Sequence, residues 1–127
     1  LLQESMIKGI GTDIVEIDRI SNAIKKDFFL KKAFSDSEIN MATERNRDSF
    51  FAGNFATKEA FVKALGLGFR GIELRDLEVL RDEYGKPFIR ICNKSNIHLN
   101  CLDEDKIHVS ISNTKTLAIA MVVIEVD

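Results

Sequence analysis

Residues 51–66, FAGNFATKEAFVKALG, narrow what this chain can become more than any other stretch. At about 100° per residue from Phe51, the residues Phe55, Val62 and Leu65 fall on one stripe, the pattern of a helix with a buried side. Lys58 lies in the middle of that stripe, Glu59 at its edge and Lys63 one turn further on, so a carboxylate and two ammonium groups border an apolar face. Gly66, Gly68 and Gly71 follow at once and end the helix, because glycine accepts the left-handed backbone that commonly terminates one. A helix from about Asp48 to Leu65 would extend roughly 27 Å, long enough to serve as the spine of a domain.

The segments around this spine read as shorter pieces. Met6, Ile7 and Ile10 form an apolar run expected to be a strand, meeting Asp13 where an amphipathic helix should begin. That helix is expected over Val15 to Lys26, with Ile17, Ile20 and Ile24 inward and Arg19, Lys25 and Lys26 on a basic outer face. Ser35 with Glu38 three residues on is a capping-box pattern for a second, short helix. LEVLRDEYGKPFIRI reads as two strands around Tyr84 to Pro87, and IHVSIS and TLAIAMVVIEV as two more across Asn113 to Lys115. The expected class is α+β, with helices packed on a small antiparallel sheet in a single domain spanning residues 6–127. Residues 1–5, LLQES, are expected to be a ragged start outside it.

Composition limits the partners. A 127-residue chain that is 45% hydrophobic and 30% charged suits one domain with a modest core. A net charge of −2 provides no general field for nucleic acid, so any anion site must be local. Cys92 and Cys101 form no metal-type spacing and read as reduced thiols of a cytoplasmic protein. No apolar run is long enough to span a bilayer and no secretory signal is evident, so no membrane association is expected.

Two tempting motifs carry little. Gly66, Gly68 and Gly71 spell GxGxxG, but after a helix, whereas a dinucleotide fingerprint follows a strand and opens a helix. His108, Ser110 and Ser112 alternate with Ile107, Val109 and Ile111, placing them on a polar strand face that can equally be plain solvated surface. Asp13 and Glu59 are the better candidates. Two carboxylates from different elements, without His or thiolate nearby, suit Mg²⁺, which keeps waters and takes phosphate oxygens as further ligands. Lys58, Lys63, Arg45 and Arg47 would then neutralise the phosphates. The plainer alternative is that Glu59 and Lys63 form a surface pair one turn apart and Asp13 is a helix N-cap.

The segments GIGTDIVEIDRI, FAGNFATKEAFVKALGLG and HVSISNTKTLAIAMVVIE, in this order and with GKPFI between the last two, resemble the 4′-phosphopantetheinyl transferases of the holo-acyl-carrier-protein synthase type over the chain from Met6 onward. The resemblance implies that Asp13 and Glu59 hold Mg²⁺ and that Lys63 contacts the pyrophosphate of coenzyme A. It places Lys58 at the same site and Arg45 and Arg47 near the 3′-phosphate, with Asn54, Gly66, Ser110, Asn113 and Thr114 also on coenzyme A. The implied reaction moves 4′-phosphopantetheine to a serine of an apo acyl carrier protein and releases adenosine 3′,5′-bisphosphate. The carrier is acidic in this family, which makes Arg19, Lys25 and Lys26 its expected docking face, and the family is implied to be homotrimeric with coenzyme A in clefts between subunits.

Asn54 stands where the family often has arginine and Asn113 where it often has histidine; asparagine donates a hydrogen bond without charge, so the 3′-phosphate contact is expected to rest on Arg45, Arg47, Thr114 or Lys115, with weaker selectivity for coenzyme A over its 3′-dephospho form. The competing classes are a binding module for coenzyme A or a carrier protein that lacks turnover, and an Mg²⁺-dependent hydrolase of nucleotide pyrophosphates.

Overall fold

The computed structural model describes residues 4–127. The first strand, β1 (Met6–Glu16), pairs antiparallel with β5 (Leu117–Val126), whose other edge carries β4 (Ile107–Asn113), giving the order β1-β5-β4. A separate hairpin joins β2 (Leu77–Arg81) to β3 (Pro87–Ile91). Its turn is fixed by Asp82, whose Oδ1 accepts from the backbone N–H of Tyr84 and of Lys86 at 2.9 Å each. Instead of one small sheet there are therefore two, both antiparallel. Of the segment expected to start irregularly, Ser5 is described and donates to Asp127 Oδ1 at 3.3 Å, while residues 1–3 lie outside the described residues.

Four helices cover these sheets: α1 (Ile17–Ala23), α2 (Asp27–Ala33), α3 (Asp36–Ala42) and α4 (Arg47–Leu65). The first helix is shorter than its apolar period implies: β1 continues through Glu16, and the chain turns after Ala23. Asp13 is therefore not an N-cap; it lies within β1, opposite Ala120 of β5. Ile17, Ile20 and Ile24 are buried and Arg19, Lys25 and Lys26 exposed, as the amphipathic pattern requires. The capping box forms: Ser35 Oγ accepts from the Glu38 N–H at 3.2 Å, and Glu38 Oε1 accepts from the Ser35 N–H at 3.0 Å.

Helix α4 is the spine. Asn46 caps its start by accepting from the Ser49 N–H, and Gly66 ends it at φ +77°. Ala52, Ala56, Ala60 and Ala64 recur every four residues and are all buried. This stripe of small side chains lets the helix lie directly on β1, where the Ala60 and Ala64 carbonyl oxygens occupy the space that side chains on Gly11 and Gly9 would need. Ala118 and Ala120 of β5 are likewise buried. Phe34, Phe51 and Phe61, fully out of solvent, fill the remaining volume, with the Phe34 and Phe51 rings 4.7 Å apart.

Candidate active site

The close seat of α4 on β1 brings together groups that lie 50 residues apart in sequence. Lys63 Nζ donates to Asp13 Oδ1 at 3.2 Å and to the Thr12 carbonyl at 3.0 Å. Glu59 lies one turn earlier on the same helix and is half-buried. Burial pushes its carboxyl above the ordinary carboxylate range and the charge of Asp13 adds to this, while Lys63 and Arg19 oppose the shift. Arg19, expected at a docking face, is thus within electrostatic reach of Glu59. Glu59 also borders a mostly apolar cavity of about 340 Å³, with Lys32, Phe69, Ile72 and Leu74 among its walls.

A divalent cation fits these donors. Two mutually repelling carboxylates, one raised by burial and further by the other, are the groups whose charge such an ion relieves, and both present only oxygen. Among the described residues no group of three or more His, Cys, Asp and Glu side chains is placed to hold a metal, so water or substrate would supply the other ligands.

Lys58 and Asn54 are not at this site. Both are fully buried on the opposite side of α4, gathered around Glu38. Lys58 Nζ donates to Glu38 Oε1 and to the Ala33 carbonyl at 2.7 Å each. Burial pulls its pKa down against the pull of Glu38 in the other direction. Asn54 Nδ2 donates to Glu38 Oε2 at 2.9 Å and to the Val79 carbonyl at 2.8 Å. An ammonium interrupting an apolar stripe thus has a partner inside the core and cannot reach a phosphate without breaking that pair.

The remaining expected residues do not gather at one place. Arg45 and Asn113 line a cavity of about 230 Å³ at the N-terminal end of α4, together with Asn46, Ser49, Phe50 and Arg81. Arg47 is exposed, its guanidinium 5.2 Å from the Phe51 ring centroid and outside that lining. Thr114 closes the β4–β5 turn, its Oγ1 accepting from the N–H groups of Thr116 and Leu117. Ser110 is exposed on the open sheet face, and Gly66 is exposed at the end of α4 beyond Lys63. Sequence reasoning missed Arg81. Nothing in a strand ending LEVLR marks that arginine, because only the packing of the β2–β3 hairpin against the start of α4 turns it into the cavity.

The result is an α+β domain in which two carboxylates and a lysine converge at a strand–helix junction, an arrangement suited to phosphate esters. Residues 9–122 match the model of the 4′-phosphopantetheinyl transferase superfamily, and the chain belongs to that superfamily. The holo-[acyl-carrier-protein] synthase of Clostridium botulinum (strain Eklund 17B / Type B) is 50% identical over 123 residues, covering 95% of this chain and 99% of that protein. The crystal structure of a holo-(acyl-carrier-protein) synthase from Bacillus anthracis in complex with CoA (3′,5′-ADP) is similar with a TM-score of 0.80 at 35% identity, over 96% of this chain and 99% of the other. That of Helicobacter pylori holo-[acyl-carrier-protein] synthase in complex with coenzyme A gives 0.78 at 34% identity, over 91% and 98%.

Proposed function

We propose that this chain transfers 4′-phosphopantetheine from coenzyme A to a serine hydroxyl of an apo acyl carrier protein. The observation that carries this reading is the contact of Lys63 with Asp13 beside Glu59, at the junction of β1 and α4. The serine oxygen attacks the β-phosphorus, the bond from that phosphorus to the bridging oxygen breaks, and the bridging oxygen leaves on adenosine 3′,5′-bisphosphate. Asp13 and Glu59 are the residues that would hold Mg²⁺, which when bound withdraws charge from the pyrophosphate. Lys63, its side chain more than half exposed, is free to turn from Asp13 to the leaving phosphate and stabilise the charge gathering there. The serine proton goes to Glu59 directly or to a water.

The carrier protein meets the basic face of Arg19, Lys25 and Lys26, which leads to Glu59 through Arg19. The free thiols of Cys92 and Cys101 suit a reducing, cytoplasmic compartment, and among the described residues no helix is long and apolar enough to cross a membrane.

Coenzyme A is shared between copies in a homotrimer. Arg45 precedes α4 and Lys63 lies near its other end, roughly 25 Å away at 1.5 Å per residue and farther than one nucleoside reaches, so the nucleotide and the reacting pyrophosphate draw on different copies. The open sheet face supports this assembly: Ile10 and Ile14 of β1 and Ile119 and Met121 of β5 share it in register and are 60%, 58%, 45% and 43% exposed.

Intact-protein mass spectrometry of an apo carrier protein incubated with this chain, coenzyme A and Mg²⁺ tests the reading. A gain of one phosphopantetheinyl group, lost with chelator and with Glu59→Ala, is expected. Cleaved coenzyme A without modified carrier would indicate a hydrolase instead, and intact coenzyme A without modified carrier a binding module.

A further inference from the structure

Arg81 closes β2 and lies against the start of α4, a nitrogen of its guanidinium 3.8 Å from where a side chain on Gly53 would begin. The guanidinium stacks on Phe50, with Cζ 4.7 Å from the ring centroid. Among the described residues it donates one long hydrogen bond, to the Leu80 carbonyl at 3.4 Å, and has no carboxylate within ion-pairing distance. Burial first and the neighbouring Arg45 second lower its pKa to about 10, against a weaker pull from Glu38.

Two guanidinium groups side by side, one of them partly desolvated and with most of its donors unused, are in a costly state that an anion relieves. The cavity that both face contains further neutral donors, Asn46, Ser49 and Asn113, and among the described residues no acidic side chain lines it. A phosphate monoester matches this chemistry better than a carboxylate. It has enough oxygens to accept from two arginine forks and an amide at once, and its second negative charge answers the second guanidinium.

Resting on the transfer reading above, we propose that Arg81, together with Arg45, binds the 3′-phosphate of coenzyme A and makes this chain selective for coenzyme A over its 3′-dephospho form. The expectation of weak selectivity came from Asn54 and Asn113 standing where the family often has arginine and histidine. Asn54 is sealed in the core, and the charge it lacks enters the cavity from β2 instead. Arg81 acts here as a specificity-determining residue: it touches the nucleotide end of the substrate and not the reacting phosphorus.

The test compares adenosine 3′,5′-bisphosphate with adenosine 5′-monophosphate by calorimetric titration of the full chain. The wild type should favour the bisphosphate by about tenfold to a hundredfold, the range for hydrogen bonds to a charged group. Arg81→Gln, which keeps much of the stem on Phe50, should bring that ratio close to one, and Arg81→Lys, which keeps the charge but loses the fork, should restore part of it. Melting curves of both variants separate lost binding from lost fold, and if Arg81→Gln does not fold, the ratio in Arg81→Lys decides. An unchanged ratio in the folded variants overturns the assignment. Failure of the wild type to modify any carrier protein would sink the transfer reading alone, because the bisphosphate ratio reads Arg81 without turnover.

Discussion

The Lys58 ammonium donates to the Glu38 carboxylate across 2.7 Å, with both side chains fully removed from solvent. Glu38 also serves the capping box of α3 and accepts from Asn54 of α4 and from the Val79 N–H of β2, so one carboxylate ties three elements together. Removing one partner leaves a buried charge without its counterpart. Lys58→Met should cost about 3–5 kcal/mol in urea unfolding, and Glu38→Leu with Lys58→Met less than the two single changes added together. Strict additivity would mean that the pair contributes nothing as a pair.

A side chain on Gly11 meets the Ala60 carbonyl, which is helix backbone and has no room to move aside. Gly11→Ala should therefore destabilise by about 3 kcal/mol or more, at the upper end of overpacking. A melting temperature within about 2 °C of wild type would show that the helix can lift from the strand at little cost.

Burial raises the Glu59 carboxyl in the metal-free protein, and repulsion from Asp13 adds to it. Mg²⁺ at millimolar concentration should raise the melting temperature of the wild type and leave that of Glu59→Gln unmoved. Glu59→Gln itself should be at least as stable as wild type without metal. Equal Mg²⁺ responses in the two proteins would remove Glu59 from the metal site.

The apolar patch of Ile10, Ile14, Ile119 and Met121 is broad for a surface that meets only water. Ile14→Asp should give a monomer in sedimentation velocity at micromolar concentration and lose transfer with it, since nucleotide cavity and reaction centre then belong to separate molecules. A wild-type protein that sediments as a monomer would end this account of the sheet face.

Arg19, Lys25 and Lys26 are exposed and carry no buried partner. Replacing all three by Ala should slow carrier modification about tenfold at low salt and flatten the dependence of the rate on ionic strength, with little change in stability. A salt dependence as steep as that of wild type would move the docking surface elsewhere.

The period of FAGNFATKEAFVKALG and the glycines after it specify a long helix, the capping box at Ser35 specifies another, and the turn residues of DEYGKP specify a hairpin; each is a local preference, and each formed where expected. The inward row of α1 was legible for the same reason. The length of β1 was not, because its run past Asp13 to Glu16 depends on pairing with β5, more than a hundred residues away. Asp13, Glu59 and Lys63 could be selected from residue type and resemblance, but their meeting required α4 to sit on the two glycines of β1.

Lys58 and Arg81 mark the boundary most clearly. Both are cations in amphipathic or apolar segments, and sequence alone assigns the first to the substrate and leaves the second unremarked. Packing reverses this. The Glu38 carboxylate, delivered by α3, draws Lys58 into the core, while the hairpin carries Arg81 to a cavity wall where, among the described residues, no carboxylate meets it. Local sequence determined which elements form and which of their faces turn inward, since those follow from periodicity and capping. Only the tertiary structure decided which charges are neutralised inside and which stay free for a ligand, since that depends on partners distant in the chain.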